Sequence, residues 1–98
     1  MRLYHVIWKD RFIDKLADKH GVDTQEVEEI LFTGPHIRLF EKGRVKGEHL
    51  YAAYGRTGAG RYLIVFFILK RRTDALPISA RDMTHAERRY YEDQKESR

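Results

Sequence analysis

This 98-residue chain contains no cysteine, which excludes disulfides, thiolate nucleophiles and cysteine-based zinc sites. Its five histidines are scattered without ligand spacing. No apolar run reaches the ~18 residues of a membrane helix. The longest covers residues 62–69, and the N-terminus lacks the apolar segment and cleavage site of a signal peptide. A soluble, cytoplasmic protein with no membrane partner is expected. Repeats, low-complexity tracts and internal linkers are also missing, so residues 1–98 are expected to form one domain around one core.

Acidic side chains are scarce in one place. Between residues 35 and 72 there are nine Lys/Arg, namely Arg38, Lys42, Arg44, Lys46, Arg56, Arg61, Lys70, Arg71 and Arg72, against two Asp/Glu, Glu41 and Glu48. The local balance is 9 − 2 = +7, whereas residues 1–34 carry five basic against seven acidic side chains and residues 73–98 five against six. A basic centre between near-neutral flanks is the footprint of a polyanion-binding face, because neutralising phosphates releases their counterions.

What is present reads as helices first and strands second. Residues 3–8 are a short β-prone run, either a first strand or an ordered arm. From Asp10, a good N-cap, Phe12, Ile13, Leu16 and Ala17 recur at helical spacing, and Gly21 supplies a left-handed end after His20. Asp23 with Glu26 forms a capping box for a second helix with Val27, Ile30 and Leu31 on one face, ended by Gly34-Pro35. The period then becomes that of strands at 37–40, 50–54, 62–69 and 75–79, with a charged loop at 41–47. Residues 62–69 are apolar at every position, which suits a central strand covered on both faces. Pro77 offers no amide to a ladder and fits only an edge strand or a bulge. Thr84 with Glu87 caps a last helix, so Arg81 falls at a strand-to-helix junction where a rigid scaffold can aim a guanidinium at an anion. The expected fold is α+β: two N-terminal helices packed on an antiparallel β-sheet, and a C-terminal helix at an edge.

The glycine-rich segment 55–61 lies between two strands and not before a helix, so it reads as a hairpin and not as a nucleotide-binding loop. Arg56 and Arg61 flank it, and at one end of the sheet they are candidates to hold one phosphate together. Tyr90 and Tyr91 read first as packing residues, with base stacking the second reading.

In order along the chain stand Trp8 before a charged helix, Lys19-His20-Gly21-Val22, Phe32, Glu48 opening a strand that ends in Gly55-Arg56, and Gly60-Arg61. Ile78-Ser79-Ala80-Arg81, Glu87-Arg88 and Tyr91-Glu92 close the series. Taken together they resemble the BrnT toxins of bacterial type II toxin-antitoxin pairs. The resemblance implies a RelE-like ribonuclease fold, a small endoribonuclease that blocks translation, and a cognate antitoxin encoded nearby as partner.

RNA cleavage of that kind needs a base for the 2′-OH proton, cations for the pentacovalent phosphate and an acid for the 5′-oxygen, and requires no metal or other cofactor. Arg56, Arg61 and Arg81 are assigned to phosphate stabilisation, with Arg72, Arg71, Lys70 and Lys15 as RNA-binding residues. His49, next to Glu48 as a possible orienting carboxylate, is the candidate acid or base; a surface strand histidine is the other reading. A nucleic-acid-binding module without chemistry is the alternative function.

Overall fold

The computed structural model describes residues 1–44 and 48–96; Lys46 of the basic segment and the end of the charged loop lie outside them. The described elements are β1 (His5–Val6), α1 (Asp10–His20), α2 (Thr24–Phe32), β2 (His36–Glu41), β3 (Leu50–Arg56), β4 (Tyr62–Lys70), β5 (Asp74–Asp82) and α3 (His85–Glu96). They form a five-stranded sheet in the order β1-β5-β4-β3-β2, with β4 at its centre. Strands β2 to β5 are an antiparallel meander.

The helix ends follow from local chemistry. Gly21 takes φ 59°, and the amides of Gly21 and Val22 return to the carbonyls of Ala17 and Leu16, closing α1. Asp10 is the first helical residue and not the cap: Lys9 occupies the cap position and makes no side-chain cap bond. An aspartate in the first turn still meets the positive end of the helix dipole. The capping box of α2 is complete, with Glu26 N donating to Asp23 at 2.8 Å and Asp23 N to Glu26 at 3.2 Å.

The sheet has two covered faces. On one, Leu16 of α1 and Val27, Ile30 and Leu31 of α2 bury Ala53, Leu63, Val65, Phe67, Ala75 and Ala80. On the other, Tyr91 of α3 packs with Ala52, Tyr54, Ile64 and Met83. The sheet is mixed and not wholly antiparallel, because the short N-terminal strand β1 runs parallel to β5 through His5↔Asp74 and Val6↔Ala75. Nor does α3 stay at an edge. The alternate residues of β4 that point away from α1 and α2 are themselves apolar, and α3 lies over part of that face to bury them. Pro77 pairs with Phe67 directly beside the slip in the β4–β5 register between Phe66 and Phe67, and a bulge is one of the places where a sheet tolerates proline.

Gly55 is in a strand because α2 lies directly over it. A Cβ there would come within 2.9 Å of Ile30 Cδ1 and 3.0 Å of its Cγ2, and Ile30 is almost wholly buried. Gly55→Ala is expected to overpack this contact and cost about 1–3 kcal/mol of stability, read as a lower urea midpoint. An unchanged midpoint would show that α2 shifts freely on the sheet.

Candidate active site

The register of the meander places one row of side chains across four strands on the α3 face: His36↔Tyr54, Tyr54↔Ile64 and Ile64↔Arg81. With strands about 4.8 Å apart, the row spans about 14 Å. Two residues on from His36, Arg38 lies on the same face by the alternation of a strand. From above, α3 lowers Tyr90 onto the row. Its hydroxyl is 2.7 Å from His36 Nε2, its ring is 5.2 Å from that of Tyr54, and the Arg38 guanidinium sits 5.1 Å over it. A histidine, two tyrosines and two arginines therefore share one strip of surface. Tyr54 is buried, and burial raises its phenol above the ordinary value despite the nearby Arg38. It remains a proton donor at neutral pH.

Arg81 is aimed by Glu87. Nη1 and Nη2 meet the two carboxylate oxygens at 2.7 and 2.9 Å, and the Thr84 amide donates to the same carboxylate at 2.8 Å. The reciprocal bond from Glu87 N to Thr84 Oγ1 completes the box that starts α3. The Arg81 hydrogen bond, ahead of the Thr84 bonds, holds the Glu87 carboxyl down to about 2.

The candidates expected from sequence do not all come together. Arg56 and Arg61 flank the hairpin but leave it on opposite faces, since Arg56 pairs with Tyr62 and Arg61 is the residue before it. Arg56 lies 5.0 Å over the Tyr62 ring, whereas Arg61 is turned toward α1 and α2. Arg61 Nε and Nη2 donate to Asp82 at 2.8 and 3.0 Å, Nη1 to Gly21 O and Glu26, and Nη2 to His20 O. All five of its N–H groups are thus turned to protein acceptors. Bonds to Asp82 and Glu26 raise its pKa further, and its own hydrogen bond to Asp82 lowers that carboxyl below the ordinary value. In this arrangement Arg61 is a tie between the α1–α2 turn and the end of β5, and it shares no phosphate with Arg56.

His49 and Glu48 stand at the other end of the sheet, about 20 Å from Arg56 along β3. His49 Nδ1 accepts the Gly43 amide at 2.9 Å, which closes the β2–β3 loop. Glu48 does not orient it, because its carboxylate pairs with Lys70 Nζ at 3.0 Å. Arg71 and Arg72 are exposed in the β4–β5 turn at that same end, both at positive φ. Lys15 is on α1, across the sheet from Arg81. Of the expected catalytic set, Arg81 is the residue that reaches the row, with Arg56 one row further on at its margin. His36 and Tyr54 were not anticipated, and Arg38 was noted only as one of the nine basic side chains of the centre. The signal that finds them is pairing register, and the length of the loop after Glu41 does not fix that register.

A family model described as the ribonuclease toxin, BrnT, of type II toxin-antitoxin systems matches residues 8–87. The chain belongs to this family. The BrnT span contains His36, Arg38, Tyr54, Arg81 and Glu87, and ends before Tyr90. The crystal structure of the Brucella abortus ribonuclease toxin BrnT is similar in fold, with a TM-score of 0.58 at 19% identity over 83% of this chain and 97% of that one. None of the curated proteins compared with the chain matches it.

The depressed Glu87 carboxyl makes a prediction with a definite sign. A carboxylate whose pKa is lowered by folding contributes stability that is present above its ordinary value of 4.5 and lost as pH falls through about 2; Asp82 acts in the same sense. Urea midpoints of the wild type are expected to fall across that window, and those of Glu87→Gln to fall less steeply. Equal slopes would mean that the Arg81–Glu87 pair does not persist in solution.

Proposed function

We propose that this member of the BrnT family is a metal-independent endoribonuclease, a single-domain, RelE-like cytoplasmic toxin that stops translation by cutting RNA and is neutralised by a cognate antitoxin. The observation that carries the site assignment is the His36–Tyr90 pair, with Arg38 and Arg81 on the same face. His36 takes the 2′-OH proton as the oxygen attacks the adjacent phosphorus. The 5′-oxygen leaves with a proton from Tyr90 or from the imidazolium that His36 has become, giving a 2′,3′-cyclic phosphate and a 5′-OH. At 2.7 Å the two groups exchange roles through one hydrogen bond. Arg38 and Arg81 stabilise the charge that develops on the phosphate, and Tyr54 donates a hydrogen bond without itself ionising.

The Arg81–Glu87 fork has a further use in this reading. The bidentate bond fixes the guanidinium plane before substrate arrives, so little side-chain freedom is lost on binding. Lys70, Arg71 and Arg72 are kept as contacts for a longer RNA strand at the far end of the sheet, with Lys70 shared with Glu48.

His36→Ala is expected to slow cleavage of a defined RNA by about 10²–10⁴-fold, and Arg81→Ala by about 10²–10³-fold. The wild-type rate should survive excess chelator. His49→Ala should leave the rate unchanged, and Arg61→Ala should reduce activity only as far as it unfolds the protein, followed by circular dichroism. Folded His36→Ala cutting at wild-type rate would move the chemistry elsewhere. RNA binding without any cut product from the wild type would favour a non-catalytic binding module.

A further inference from the structure

The part of the sheet that α3 leaves open carries a feature that the proton-transfer groups do not use. In the β2–β3 ladder, Leu39 pairs with Tyr51 and Glu41 with Leu50, so Phe40 is the extra, unpaired residue of a β-bulge. Bulges re-aim a side chain, and they gather at sheet edges and beside active sites. Here the bulge brings Phe40 to Phe66 of β4, ring centroids 5.1 Å apart at 70°. The intervening strand permits this contact because the residue between Arg38 and Phe66 in the ladder is Ala52, whose side chain is a single methyl. Phe66 is half-buried and meets Phe40 in a T-shaped contact. Phe40 itself remains 56% exposed, on an edge strand where a large apolar side chain invites unwanted pairing.

Two cations share the face of this ring pair. Arg38 is two residues before Phe40, and the Arg81 guanidinium lies 5.5 Å over Phe66. An exposed phenylalanine braced on a second one, with one arginine on its own strand and another over its brace, has the composition of a platform for single-stranded nucleic acid, in which the bases stack and the backbone meets the arginines. We infer that Phe40, braced by Phe66, is a base-stacking subsite for a nucleotide next to the scissile phosphate of a single-stranded RNA. This rests on the ribonuclease reading of the His36–Tyr90 strip and adds the strandedness of its substrate. A duplex would keep its bases in their own stack and offer none to the ring.

The test uses short oligomers with 2′-O-methyl riboses throughout, which cannot be cut, carrying 2-aminopurine at successive positions. With the wild type, emission at one position is expected to be quenched on binding. Phe40→Leu keeps the bulk but not the aromatic face, and is expected to lose that quench and weaken binding by about tenfold or more. Phe40→Tyr should retain both. Phe32→Ala, an exposed phenylalanine of α2, should behave as wild type. With cleavable RNA, Phe40→Leu should raise KM with little change in kcat. A Phe40→Leu protein that quenches and binds as wild type overturns the subsite while the ribonuclease reading stands. So does a variant that binds RNA normally but is no longer neutralised by its antitoxin, since the ring is then a protein-docking residue. A wild type that neither binds nor cuts RNA removes both.

Discussion

The carboxylate of Glu87 fixes two elements at once, and the candidate site depends on that. Oε1 takes both the Thr84 amide that begins α3 and one N–H of Arg81, while Oε2 takes a second N–H of Arg81. The helix is therefore started and tethered to the end of β5 by the same group. Everything that α3 contributes follows at helical spacing from there. Tyr90 is three residues on and Tyr91 four, so both return to the side of the helix that faces the sheet. Tyr91 goes into the apolar cluster with Ile64 and Met83, and Tyr90 onto His36. A shift at Glu87 would move the packing residue and the hydroxyl together.

The two faces of the sheet are covered differently. Toward α1 and α2 the sheet is closed by aliphatic side chains, and among the polar ties there are those of Arg61, which binds the α1–α2 turn to Asp82. Toward α3 the cover is partial, and the side chains left at its margin are the histidine, arginines and phenylalanines that have use outside a core. Strand alternation decides which residue goes where. Neighbours such as Arg61 and Tyr62 are sent to opposite duties, and Arg56, across the hairpin from Tyr62, goes with Tyr62 and not with Arg61.

This division explains what could be read from the sequence. Local signals were sufficient for Gly21, for the Asp23–Glu26 and Thr84–Glu87 boxes and for the central position of β4, and they narrowed Pro77 to an edge strand or a bulge, because each depends on residues within a few positions or on a continuous apolar run. Arg81 was legible for the same reason, being tied to a cap six residues away. His49 and Glu48 drew attention by adjacency, yet neighbours on an extended chain point to opposite sides. The loop amide of Gly43 and the ammonium of Lys70 claimed them separately. His36, Arg38 and Tyr54 become one site only through pairings across β2, β3 and β4 and through a helix more than 50 residues further on, which no local pattern encodes. A first strand was one of the two readings of residues 3–8, but its parallel pairing was not anticipated on similar grounds, since its partner β5 lies far along the chain.

In the proposed complex, substrate occupies the α3 side of the sheet at the row His36–Tyr54–Ile64–Arg81. Amide chemical shifts of the wild-type protein, followed during titration with an uncleavable single-stranded RNA, test it most directly. The largest changes are expected on β2 from His36 to Phe40, on Tyr54, on Arg81 and on the first turns of α3. Changes confined to Gly43, His49 and the Lys70–Thr73 turn would place the RNA at the opposite end of the sheet and contradict it.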